Sequence, residues 1–489
     1  MPVVDSGARH WIGRVINQYP VRLTFIGSLL LSLIAVLGAV TVGRDAALYL
    51  DIAHKVNEQG PAIAWTLFDW PWFPLLLAQT HIYLGLPLEL SAYLWCALFI
   101  AGTCALMVDC VRQRLPQAAP WAALVVLAMP AVNAFRDDII RECGFWFFST
   151  LTLWLALHWQ ARGGWLRALL IHLALGAAAL FRLEAVLLLP ALTLWQLPNL
   201  WSSSRRMAFL QFILLPLLGG IGVLVLVSLS GHFSSARVSY YLEMINPRHV
   251  FASFNLLSEQ FANSLISDYS RNEAGRIIFF GVLVTMLMSV VKLMGPFAVP
   301  FIFRRNWGVF RTYWNQYRPF AWAAVIYLTI LMLFFIRLQF MNSRYLSFLN
   351  LLLVPALALA LLQVFQTFPR LGKSLVVIGL LVMLSNVVST SAGKTQYVEA
   401  GRWFAANTDT QAPAYFEDGR IGYYAGRGYA PSIPREQAMS AQHAGQYRYF
   451  LIEAKPDEAW LVSWLGEHNM KILASFANRK GARVLVIGE

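Results

Sequence analysis

Long apolar runs separated by short clusters of charge fill the chain up to about residue 391, and most runs reach the 18 to 25 residues a helix needs to cross roughly 30 Å of hydrocarbon. The pattern predicts about eleven spans, near 22-42, 91-111, 118-134, 143-161, 166-182, 184-198, 207-230, 277-303, 320-337, 346-366 and 374-391. Two segments between runs are too long to be plain connectors, 43-90 and 231-276. The first reads as two membrane-parallel helices: Leu48, Ile52 and Val56 share one face of 44-58, and WTLFDWPWF (65-73) carries interfacial aromatics.

Past residue 392 the pattern changes. APAYF (412-416), YRYFLIEA (447-454), MKILASF (470-476) and ARVLVIG (482-488) read as strands, and PDEAWLVSWLGEHN (456-469) as an amphipathic helix. The fold class that follows is a multi-span α-helical membrane protein, 1-391, with a small C-terminal α/β soluble domain, 392-489. Composition agrees: 58% of the 489 residues are hydrophobic, 14% aromatic and only 13% charged, which excludes an ordinary soluble domain.

Charge sets an expected orientation. Arg9, Arg14 and Arg22 precede the first run, which reads as a retained signal anchor with a cytoplasmic N-terminus. Alternate loops carry Arg112 and Arg114, Arg162 and Arg167, Arg205 and Arg206, Arg304 to Arg318, then Arg370 and Lys373, as the positive-inside rule expects. An odd number of spans leaves the tail outside. The net +13 is then a topology signal and an attraction to anionic lipid, and no nucleic-acid partner is implied. Cys96, Cys104, Cys110 and Cys143 fall in or against spans at no zinc-like spacing and suggest no disulfide framework.

The stretch NAFRDDIIREC (133-143) places Arg136, Asp137, Asp138, Arg141 and Glu142 between two apolar runs. In lipid these five charges would cost over about 10 kcal/mol, so they belong at a rim or in a wet cavity. A self-neutralised turn is one reading, since Asp137 and Asp138 are within helical reach of Arg141. The other reading comes from further outward turns, where Arg44, FRLEA with Arg182 and Glu184, and RLQFMNSRY with Arg337 and Arg344 also carry arginine. Cations gathered above a hydrophobic bundle suit a lipid phosphate. Asp45, leaving the first span with Tyr49 one turn on, is a candidate base or a helix N-cap, while Asp51 reads as solvated. Residues 231-276, with Arg237, Tyr240 and Tyr241, form a long outside segment that carries function or is a plain surface loop. No histidine shows ligand spacing, and GRIGYYAGRG lacks the pattern of a nucleotide-binding loop.

Taken together, these residues resemble the GT-C class of integral-membrane glycosyltransferases, particularly the bacterial relatives of protein O-mannosyltransferase and lipid A aminoarabinose transferase, over nearly the whole chain. Asp45 and Tyr49 match the aspartate and tyrosine of the family's first outside loop, with Ala46 where a second acid would stand. RDDIIRE (136-142), FRLEA (181-185) and SRYL (343-346) look like the family's charged turns, and EDGRIGYYAGR (417-427) is similar to a Gly-Tyr-rich segment of its outside domain.

The resemblance implies a polyprenyl-phosphate sugar as donor, inversion at the anomeric carbon, and a bacterial inner membrane with the active face in the periplasm. Asp45 is then the expected base, with Asp137, Asp138 and Glu142 as rival bases or sugar and arginine ligands. Arg136, Arg141, Arg182, Arg344 and Arg337 are expected at the donor phosphate, and Tyr49, Glu184, Tyr345, Tyr240 and Arg237 at substrate. Ala46 argues against an essential divalent metal, although Asp45 with Asp137 or Glu142 offers oxygen ligands. The expected partners are membrane lipids, the lipid-linked sugar, and an acceptor glycan, lipid or protein. An O-antigen ligase or polymerase, or a lipid-linked sugar transporter, stands as the alternative, the transporter disfavoured because its charges belong near mid-membrane.

Overall fold

The computed structural model describes residues 17–230, 239–240, 243–244, 246–388, 393–409, 411–429 and 433–489. Each of the eleven apolar runs falls on helix. Among the described residues, six helices are long and apolar enough to cross a bilayer alone: Pro20–Leu37, Leu88–Arg114, Leu183–Trp201, Ala274–Ile302, Arg318–Leu338 and Pro369–Val387. Ser343–Leu352 and Val354–Thr367 are together long and apolar enough but are bent by 63° at the break between them, the geometry of a broken span or a re-entrant loop. Of the other runs, 166-182 forms an apolar helix of only 17 residues, Trp165–Phe181, and 118-134 is broken. Residues 118-134 form Ala119–Ala128 and a separate short turn of helix, because Met129 is extended ahead of Pro130, as a residue before proline tends to be. The chain is a multi-pass membrane protein.

Two compact units can be separated: Met1–Leu33 with Cys96–Arg136 and Arg141–Val387, and Ile34–Trp95 with Asp137–Ile140 and Val388–Glu489. The charged stretch 133-143 is therefore shared out, Arg136, Arg141 and Glu142 to the first unit, Asp137 and Asp138 to the second.

In the first unit the helices Glu142–Arg162 and Trp165–Phe181 form a tight antiparallel pair joined by Gly163 and Gly164, both at positive φ, where glycine carries no Cβ penalty. Their close approach is at Gly144. A Cβ there would lie 2.3 Å from the Phe181 ring, so only glycine lets the two helices meet at this level. Phe181 in turn packs edge-on to Phe99 and stacks with Phe148, which fixes the end of its helix and so the position of Arg182 just beyond it.

The second unit carries a four-stranded sheet in the order β1-β2-β4-β3, with β1 Ala414–Phe416, β2 Tyr449–Glu453, β3 Lys471–Ala477 and β4 Arg483–Gly488. β1 pairs parallel to β2, and the other neighbours are antiparallel. Side chains alternate between faces as the two-residue period requires. Phe450, Ile452, Leu485 and Ile487 pack with Leu461 and Trp464 of the Ala459–His468 helix on one face. Leu451, Val484 and Val486 pack with Tyr397 and Phe404 of the Thr395–Asn407 helix on the other. The four strands and the Ala459–His468 helix match the sequence expectation. Thr395–Asn407 and the Gly419–Tyr424 helix were not foreseen by it.

Candidate functional site

In the first unit, three turns distant in sequence bring their charges together. Glu142 opens its helix, Arg182 is the C-cap of the partner helix Trp165–Phe181 that follows it, and Arg344 lies in the first turn of Ser343–Leu352, whose N-cap Asn342 accepts the Arg344 backbone N–H at 3.0 Å. The Arg182 guanidinium donates to Glu142 Oε1 at 2.5 Å and, through its other nitrogens, to both oxygens of Glu184. It also lies 4.6 Å from the centre of the Tyr345 ring. Arg344 Nη1 is 3.9 Å from the same Glu142 oxygen, and Arg141 is close enough to act on the Glu184 charge.

The Arg182 and Glu142 side chains are 6% and 5% exposed, whereas Arg344 keeps 21% of its surface. The inner pair is thus held rigid and the outer arginine faces accessible space. Three arginines, Arg141, Arg182 and Arg344, stand against two carboxylates, Glu142 and Glu184, leaving one net positive charge. Glu142 Oε2 and the nearby Trp146 Nε1 are buried and make no hydrogen bond among the described residues. Orphaned buried polar atoms beside a charged cluster are where a polar ligand gains most.

Arg136 takes a different place. Fully buried, it donates from Nε to Asn133 Oδ1 at 2.6 Å and from Nη1 to Ser28 O, Ser28 Oγ and Ser32 Oγ at 2.9 to 3.0 Å. Those contacts tie it to the first membrane helix. The signal that could have foreseen this is the pair Ser28 and Ser32, one turn apart on an otherwise apolar helix. Arg337 donates to the carbonyl of Glu243, and Tyr240 is exposed. Arg237 and Tyr241 lie outside the described residues.

The second unit holds the other candidates. Gly43 occupies the N-cap of the Arg44–Gln59 helix, so Asp45 is not the cap but sits inside the first turn, half-buried. Asp138 reaches the same helix start: a Cβ on Gly43 would lie 2.8 Å from Asp138 Oδ1. Asp137 beside it is half-buried, and burial pushes its carboxyl above the ordinary value. Tyr49 is buried edge-on to Phe68 and Phe73, at 5.9 and 5.5 Å.

Asp51 corrects the expectation of a solvated side chain. It is 6% exposed, accepts Lys55 Nζ at 2.7 Å, and lies against Gly428, where a Cβ would be 2.5 Å from Asp51 Oδ1.

The Gly-Tyr-rich segment closes over the start of the Arg44–Gln59 helix. Tyr424 Oη accepts the Val42 N–H at 2.8 Å, and Arg44 Nη2 donates to Asp418 Oδ2 at 3.0 Å. Asp418 also caps the Gly419–Tyr424 helix and takes two side-chain bonds from Arg420. Burial works to raise the Asp418 carboxyl, but the Arg420 and Arg44 bonds outweigh it and hold it well below the usual range. Among the described residues, no three His, Cys, Asp or Glu side chains gather as metal ligands, and no metal site is derived from them.

The fold has counterparts among solved structures. Over 99% of this chain and 98% of the other, the fold superposes on ArnT from Cupriavidus metallidurans in the apo state, with a TM-score of 0.60 at 15% identity. The chain has an ArnT-like fold. It is also similar to the Archaeoglobus fulgidus oligosaccharyltransferase, solved with zinc and sulfate, over 94% of this chain and 72% of that one, with a TM-score of 0.56 at 11% identity. No protein-family model and no curated protein sequence matches the chain.

Proposed function

We propose that this protein is a membrane glycosyltransferase that moves a sugar from a polyprenyl-phosphate donor to a hydroxyl or amine acceptor at the outer face of a bacterial inner membrane. The observation that carries the reading is the buried Glu142–Arg182–Glu184 triad with the more exposed Arg344 beside it, at the ends of apolar helices in an ArnT-like fold. Charges at helix ends, rather than at mid-span, support an enzyme over a transporter. The likeness to ArnT over 99% of this chain and 98% of that one supports this reading over a ligase or polymerase.

The chemistry follows from the residue types. A phosphate leaving group needs no protonating acid. It needs cations at the oxygen that gains charge as the bond to the anomeric carbon breaks. Arg344 is accessible for that role, and Arg141 with Arg182 completes an electropositive surround. Glu142 and Glu184 orient Arg182, and the unfilled Glu142 Oε2 can accept from a sugar hydroxyl.

Asp45 keeps the role that the family resemblance implies, a base that takes the acceptor proton as the acceptor oxygen or nitrogen bonds to the anomeric carbon and the phosphate leaves, with inversion. Asp137 is the second reading, because its raised carboxyl pKa makes a stronger base. No metal is required by this scheme. The test is a panel of polyprenyl-phosphate sugars offered to the purified protein in lipid, with donor consumption followed by mass spectrometry. Consumption of at least one donor, lost in Asp45→Asn, is expected; an inert wild-type protein across a broad panel would count against the reading.

A further inference from the structure

A second basic site lies at the other end of the Glu142–Arg162 helix, which at 21 residues is about 30 Å long. There a cavity of about 410 Å³ is lined by Arg114, Arg205 and Arg318 together with Trp159, Trp195 and Asn199. No carboxylate lines it among the described residues. The three arginines come from three separate loops, each counted in the sequence only as part of the positive-inside bias. That bias explains their presence on one side of a membrane, but it does not require them to converge.

Their surroundings are unlike one another. Arg114 is steered into place by Nη2 bonds to Gln160 Oε1 at 2.8 Å and Leu157 O at 3.3 Å. Arg205 and Arg318 are exposed and make no side-chain hydrogen bond or ion pair among the described residues. Like charges sharing a cavity without a counterion repel, and an anion seated between them removes that cost. Trp159 and Trp195, buried edge-on to each other at 6.1 Å, give the cavity a rigid wall of the kind found at headgroup level.

We propose that this cavity binds the phosphodiester headgroup of an anionic membrane phospholipid. A lipid is favoured over free phosphate by what flanks the cavity. Trp165, Leu166, Trp201 and Met207, within three residues of its lining along the chain, are 46%, 70%, 71% and 60% exposed, apolar surface suited to acyl chains. The site owes nothing to the transfer chemistry and stands whether or not the proposed reaction does.

Native mass spectrometry of the full chain, released from bilayers of phosphatidylcholine and phosphatidylglycerol in equal parts, tests it. The wild type should retain phosphatidylglycerol selectively. Arg205→Gln with Arg318→Gln should weaken that retention about thirtyfold. Arg205→Lys with Arg318→Lys should largely keep it, and the single glutamine variants should fall between. Equal retention of both lipids, unchanged retention in the double glutamine variant, or displacement of the lipid by inorganic phosphate alone would overturn the proposal.

Discussion

Arg182 donates to Glu142 across 40 residues of sequence at 2.5 Å, with both side chains almost fully buried. A buried ion pair is costly to break one partner at a time, since the survivor keeps its charge without compensation. Glu142→Ala is therefore expected to destabilise the protein by roughly 3 kcal/mol, near the low end of the usual range because Glu184 still faces Arg182. Thermal unfolding in detergent checks this, and Glu142→Gln, which keeps the shape, should lose less.

The pair depends on a close helix approach. Gly144→Ala pushes a methyl into the Phe181 ring, 2.3 Å from where it would stand. The expected result is a folded protein with transfer lowered about tenfold or more, because a shift of about 1 Å at a charged site is enough for that. A second-site Phe181→Leu should recover part of the loss. Wild-type rates in Gly144→Ala would mean that the pair's position is not important.

Asp418 gives a pH prediction for the second unit. Its folded pKa is depressed below the ordinary value of about 3.9, so its contribution to stability is fully present above that value and is lost as pH falls through the folded one. Asp418→Asn removes the contribution at neutral pH. Hydrogen exchange across residues 414–427 should be faster in the variant at neutral pH, with the difference shrinking as the medium is taken below about pH 3. An identical exchange profile at neutral pH would contradict a stabilising role for the Asp418 bonds to Arg44 and Arg420.

The two candidate bases separate kinetically. Asp45→Asn is expected to lower kcat by about 100-fold or more, with little change in the donor KM, whereas Asp137→Asn should stay within about threefold. The reverse order would hand the role to Asp137.

Much of this was legible in the sequence, for reasons that differ by element. Apolar length and the two-residue alternation in YRYFLIEA and ARVLVIG are local signals, and the helices and strands followed them. FRLEA and SRYL announced their charges, and the family resemblance put Arg182 and Arg344 at one phosphate with Glu142 beside them; that Glu184 would be bound to Arg182 was not legible, because side-chain pairing is a tertiary property. The five charges of 133-143 looked alike in one dimension. Burial separated them: Arg136 became a tie to Ser28 and Ser32, while Glu142 became the centre of the cluster. Asp51 was misjudged because the tail's Gly428 comes to lie against it from far along the chain.

The central claim is that Arg344 holds the departing phosphate of a lipid-linked sugar. Its most direct test is single-turnover transfer from a polyprenyl-phosphate sugar by the wild type and by Arg344→Ala, matched for thermal stability. Loss of one charge-assisted contact predicts transfer slower by about 10- to 100-fold with unchanged unfolding temperature. Equal rates in the two proteins would contradict the account.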